Sequence, residues 1–151
     1  MRLSLPLFLF VALSLGGGLL IGAFNTPGEW YAALEKPPFN PPGWLFGPVW
    51  TTLYILIGIA GWRVWQAARS TSSMSLWWAQ MALNFAWSPV FFTLHNIGAA
   101  FAVILALLVV ILAFIVLTWK RDKTAAQLFI PYVAWVAFAS LLNGSILSLN
   151  S

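Results

Sequence analysis

Between Trp30 and Tyr54 the chain sets Trp30, Tyr31, Trp44, Phe46 and Trp50 among Pro37, Pro38, Pro41, Pro42 and Pro48. The chemistry of such a stretch is stacking and apolar contact. Indole and phenol rings bring large faces with one polar tip, and proline, with φ fixed, loses little entropy on ordering. A stiff, nearly uncharged aromatic surface suits a flat hydrophobic ligand. Further along, Gln80 and Asn84 place amides in apolar surroundings, where each must be satisfied by neighbours, water or ligand. Acid–base catalysis is poorly supported: the single histidine is His95, and no carboxylate falls inside an apolar run. His95 reads as an interfacial cap between its flanking helices or as a haem or metal ligand. Glu29 and Glu35 read as solvated groups or as partners for a polar ligand group. With no cysteine, disulfide and thiolate chemistry are excluded. The scattered His, Asp and Glu cannot assemble a metal cluster, and no obligatory cofactor is expected.

Elements able to hold that surface must live in lipid. Of 151 residues 62% are hydrophobic and 7% charged, with a mean hydropathy of +0.91, whereas soluble domains carry about 25% charged residues. A soluble fold of this length exposes too much of its surface to hide such apolar area. The length suits one domain, residues 1–151. The net charge of +4 flanks apolar runs, so it is explained by membrane topology and not by nucleic acid.

Apolar runs of about 20 residues fall at 3–24, 44–62, 76–94, 99–119 and 125–147, which predicts an all-α membrane protein with five transmembrane helices and an ordered first loop. Arg2, Arg63, Arg69, Lys120, Arg121 and Lys123 share one side and Lys36 lies on the other. The positive-inside rule then puts the N-terminus on the side of insertion and the aromatic-proline loop opposite. Met1-Arg2 with the apolar run behind it also fits a secretory signal, but the run is long for an h-region. Gly18 and Gly22 form a GxxxG pair, which is work for a retained helix.

At about 100° per residue, Gln80, Asn84, Trp87 and Phe91 share one stripe of the third span. Ala79, Ala82 and Ala86 share another, rotated by about 130°. Trp50, Tyr54, Ile57 and Gly61 align on the second span, and Tyr132, Trp135, Ala139 and Asn143 on the fifth. Three polar-aromatic stripes beneath a stiff loop predict a pocket; ordinary helix packing is the competing reading of each residue alone. From Ala99 to Leu117 the fourth span has no polar side chain and is expected to meet lipid. The small faces, Gly18 and Gly22 with Ala79, Ala82 and Ala86, predict a homodimer interface, against packing of helix one inside its own bundle.

Trp30-Tyr31, Leu34, Lys36-Pro37, Phe39, Pro41-Pro42, Trp44, Phe46, Pro48-Val49-Trp50-Thr51 and Tyr54 resemble the signature of the translocator protein family, the tryptophan-rich sensory proteins or peripheral-type benzodiazepine receptors. The match continues through Gln80, Leu83-Asn84, Trp87-Ser88-Pro89 and Phe91-Phe92, then Pro131-Tyr132, Trp135, Phe138-Ala139 and Leu142-Asn143. The resemblance implies a five-helix bundle, commonly dimeric, that binds porphyrins, haem included, and benzodiazepine- and isoquinoline-type ligands. It implies sensing or transport of tetrapyrroles and other hydrophobic small molecules. It also implies an integral multi-pass protein, in the cell envelope of a bacterium or the outer mitochondrial membrane of a eukaryote. The ligand residues expected from faces and resemblance together are Tyr31, Trp50, Tyr54, Asn84, Trp87, Phe91, Trp135, Phe138, Ala139 and Asn143. No catalytic residue is expected, except that some bacterial relatives are described as degrading porphyrin in light, for which Trp50 and Trp135 match. Animal members carry a cholesterol motif after the fifth-helix Asn; here Asn143 is followed by Gly144, Ser145 and Ile146, which puts sterol binding at that site in doubt. A reversed pattern runs from Lys123 through Phe129 to Val133 and carries little weight in so apolar a chain.

Overall fold

Proline, glycine and short polar residues punctuate the apolar runs, and the helices start and stop at them. The computed structural model describes residues 4–67 and 71–151, so Arg2 and Arg69 lie outside the described residues. Helix α1, Leu5–Phe24, is capped by Ser4, whose Oγ accepts from Leu7 N, and widens into a π-helical stretch at Ala12–Gly16. A short α2, Glu29–Ala33, lies in the first loop. Helix α3 is Gly43–Ala67. Helix α4 comprises Ser72–Ser88 and a π-helical end, Pro89–Thr93; Pro89 cannot donate to the preceding turn, and the ladder widens there. Helix α5 is Ile97–Thr118, capped by Asn96, and α6 is Lys123–Leu149, capped by Asp122 and broken at Phe129 ahead of Pro131. No strand occurs among the described residues.

The described chain is therefore all-helical, and four helices, α1, α3, α5 and α6, are long and apolar enough to cross a membrane. Helix α4 is not among them. Its serines, Gln80 and Asn84 lower its hydropathy, although it runs beside the other rods for a comparable length. Contacts close a ring in the order α1, α3, α6, α5, α4 and back to α1.

In lipid, expelling apolar surface from water does not drive helices together; close packing and hydrogen bonds do. The first helix shows how. A Cβ on Gly58 of α3 would lie 2.7 Å from Val11 Cα, one on Gly18 would lie 2.2 Å from the Tyr54 ring, and one on Gly17 would lie 2.6 Å from Phe85. Ser14 Oγ donates to Tyr54 O at 2.8 Å. Gly18 thus makes its close contact within the chain. Helix α5 turns a stripe of Ala100, Ile104, Leu107, Ile111, Phe114 and Thr118 inward at alternating spacings of four and three, leaving Leu105, Val109 and Val116 exposed.

The basic end of the bundle is filled. Trp77, Phe114 and Phe129 are fully buried, the last two stacked at 4.2 Å. Trp77 Nε1 donates to Ile57 O at 2.9 Å. Arg63 grips Asp122 there, Nε to Oδ2 at 3.0 Å and a terminal guanidinium N–H to Oδ1 at 3.2 Å, while Asp122 caps α6.

Candidate functional site

Toward the other end the rods part around a cavity of about 500 Å³. Its floor is a chain of buried polar groups. Tyr54 OH donates to Asn84 Oδ1 at 2.8 Å, Asn84 Nδ2 donates to Tyr132 OH at 2.7 Å, and Tyr132 OH donates to Gln80 Oε1 at 2.8 Å. Neighbours thus pair both amide oxygens singled out in the sequence and one Asn84 N–H, while Gln80 Nε2 reaches only Met81 Sδ, at 3.9 Å. The second Asn84 N–H and the lone pairs of the Tyr54 oxygen remain for a ligand.

The walls are aromatic. Trp50 lies 5.3 Å from Tyr54 and 6.5 Å from Trp135, the two indoles perpendicular. Trp87 and Phe91 sit 5.0 Å apart, and Trp87 Nε1 is held by Asn143 Oδ1 at 3.0 Å, whose Nδ2 donates to Ile97 O. Ala139 leaves room between Trp135 and Asn143.

A lid formed by residues 25–42 closes the top. Asn25 and Thr93 hydrogen-bond side chain to side chain. The Asn150 amide brackets Glu35, accepting from its N at 2.9 Å and donating to its O at 2.8 Å. Trp30 meets Phe91 edge-on and stacks on His95 at 4.2 Å; Tyr31 meets Phe91 and Phe92. His95 has a φ of 55°, a left-handed conformation that costs a non-glycine residue about 1–2 kcal/mol, and the Trp30 stack offsets part of it. Burial pushes the Tyr31 phenol above its ordinary value, opposed in part by a hydrogen bond with Asn40. Lys36 Nζ sits 4.5 Å above the Tyr31 ring.

Nine of the ten expected ligand residues line this cavity: Tyr31, Trp50, Tyr54, Asn84, Trp87, Phe91, Trp135, Ala139 and Asn143. Phe138 does not. It faces a separate groove of about 630 Å³ on the outside of the bundle and packs on Phe39. His95 is exposed in the turn between α4 and α5, outside the lining. Gly18 and Gly22, read as a subunit contact, line the cavity as well, whereas Ala79 and Ala82 are exposed and Ala86 is half-buried. Sequence reasoning missed Asn25 and Asn40 on the lid and Ile104 and Leu107 on α5. The loop asparagines carried no periodic signal, and a helix apolar on every side does not say which face turns inward. Among the described lining residues none is charged, and no group of three His, Cys, Asp or Glu gathers among the described residues to hold a metal.

A sequence profile of the TspO/MBR family matches residues 10–149. The chain belongs to that family. It is 39% identical to protein CrtK of Rhodobacter capsulatus, covering 99% of this chain and 95% of that one. It is 36% identical to the tryptophan-rich sensory protein of Cereibacter sphaeroides, over the same shares of each. With the translocator protein of Bos taurus the identity is 40%, over 86% of this chain and 80% of that one. Family membership and the four long apolar helices make this TspO/MBR chain an integral, multi-pass membrane protein.

Proposed function

We propose that this protein binds porphyrins and related flat, hydrophobic molecules in the cavity and acts in their sensing or movement. The observation that carries the reading is the cavity itself: perpendicular indoles above a hydrogen-bonded polar floor, with no charged lining among the described residues. Such a site offers stacking along its walls and a few fixed polar contacts, the usual make-up of a small-molecule pocket. Relatives named sensory protein and translocator protein agree with sensing or transport. The α4 rod, packed between α1 and α5, acts as the fifth transmembrane helix, its amides turned to the floor and away from lipid. Ala79, Ala82 and Ala86 form the face on which a second copy docks. The role is binding and not acid–base catalysis. Light-driven porphyrin degradation is a second reading, favoured by Trp50 and Trp135 lying 6.5 Å apart on the cavity wall.

Titration of the purified protein in detergent with protoporphyrin, haem and cholesterol, read by tryptophan quenching, tests the assignment. Trp50→Ala and Asn84→Ala should each weaken porphyrin binding by about 1–3 kcal/mol, as loss of an anchor does. Unchanged dissociation constants in folded variants would remove the cavity from the account. Loss of porphyrin only under illumination would favour degradation.

A further inference from the structure

The cavity has a second neighbour besides the lid. Along the lid half of the bundle, α3 and α6 enclose the outer groove formed by Pro48, Thr52, Leu53, Pro131, Ala134 and Phe138. Trp135 belongs to both linings, so its indole stands between groove and cavity. Backbone contacts between α3 and α6 concentrate on Lys123–Leu128 and thin out along Ile130–Leu149, beyond the break at Phe129. Rings fill the gap: Trp135 lies 5.7 Å from Phe46 and 5.8 Å from Phe138.

The cavity-wall tryptophans differ in how they are held. Trp87 is tied through Nε1 to Asn143, whereas Trp135 Nε1 is buried with no partner. Turning the Trp135 ring breaks no hydrogen bond, and a buried donor left unpaired favours the movement that finds it one. The lid, by contrast, is fastened at Asn25 with Thr93 and at Glu35 with Asn150. A hydrophobic ligand is concentrated in the bilayer, on the side where the groove opens.

We propose that the groove is an outer binding site, a membrane-side vestibule that takes the flat apolar ligand edge-on from lipid and passes it into the cavity past Trp135. This rests on the ligand class assigned above. Ala134 and Thr52 are exposed and line the groove without lining the cavity, so bulk placed there blocks the passage and spares the site.

The test uses the full protein in phospholipid nanodiscs, with protoporphyrin dimethyl ester as an uncharged, lipid-soluble probe and stopped-flow tryptophan quenching as readout. Ala134→Trp should slow association and dissociation alike, by about tenfold, with the equilibrium constant within about threefold, because a blocked route changes the barrier and not the end states. Thr52→Trp should do the same, and Leu112→Trp, on the exposed face of α5, should change neither rate. Unaltered rates in both groove variants would overturn the vestibule, as would faster exchange in Asn150→Ala with no effect of the groove variants, since the lid would then be the route. A wild type that shows no saturable quenching overturns the ligand class itself, a different failure.

Discussion

The two ends of the bundle are built from the same rods to opposite effect. At the basic end Trp77, Phe114 and Phe129 fill the interior completely, and the Arg63–Asp122 pair fastens α3 to α6. At the lid end the aromatic residues stand around space and not in it, and their polar tips are held by a few side-chain bonds. Both ends are rich in large rings, so their presence alone does not decide which end is hollow. Backbone approach decides it: Gly58 and Gly61 let α1 and Trp77 close on α3, while the break at Phe129 and Pro131, just past the filled end, carry the rest of α6 away from α3. Rigidity at one end lets the other keep a cavity without collapsing onto it.

That contrast predicts that stability and binding separate along the bundle axis. The largest effect should come from Trp77→Ala, which empties the filled end and frees the Ile57 carbonyl. About 3 kcal/mol of stability should be lost, the lower end of the range for such truncations in water, because in lipid the transfer term is absent and lost packing remains. Denaturant titration in mixed micelles measures it, and an equal loss of porphyrin affinity in the folded fraction would break the separation. Gly58→Ala, which forces Val11 and the backbone of α1 outward, should cost about 2 kcal/mol, as overpacking does. Arg63→Met should cost about 1 kcal/mol, since the Arg63 side chain is 35% exposed and solvent screens the pair; a loss that persists unchanged in high salt would argue for packing by the arginine stem instead. Smallest for the fold is Ala82→Leu, on an exposed face, expected within about 0.5 kcal/mol of wild type. It should nevertheless turn a dimer into a monomer, while a wild type already monomeric in bilayers would remove that interface.

The long helices were legible because apolar runs bounded by Gly, Pro and charge leave little choice in lipid. Helix α4 was legible from its stripes, and the same serines and amides that mark the stripe take it out of the set that composition alone identifies as spanning. The pocket stripes were readable because Trp50, Tyr54, Asn84 and Trp135 fall at helical spacing. What approaches a glycine was not. The GxxxG pair fixes a close contact and leaves its partner open, and the Tyr54 ring occupies Gly18. Phe138 adjoins Ala139 in sequence, yet one residue along a helix is about 100°, enough to turn it from the cavity to the groove.

The π-helical stretch at Ala12–Gly16 sets the phase of α1. In a regular helix four residues overshoot one turn by about 40°, so Phe10, Ser14, Gly18 and Gly22 would fan out over about 120°. A π turn winds more slowly and takes back part of that drift, which keeps Ser14 on the Tyr54 carbonyl and Gly18 on the Tyr54 ring. The helix is thereby sensitive to length in a way it is not sensitive to composition. Adding a further residue between 12 and 16, beyond the one the π turn already absorbs, would rotate the two halves against each other by about 100° and carry Gly18 off the Tyr54 ring. Exchanging the exposed Ala12 or Leu13 for another apolar residue leaves the phase alone. In this segment insertions, more than substitutions, are what the fold forbids.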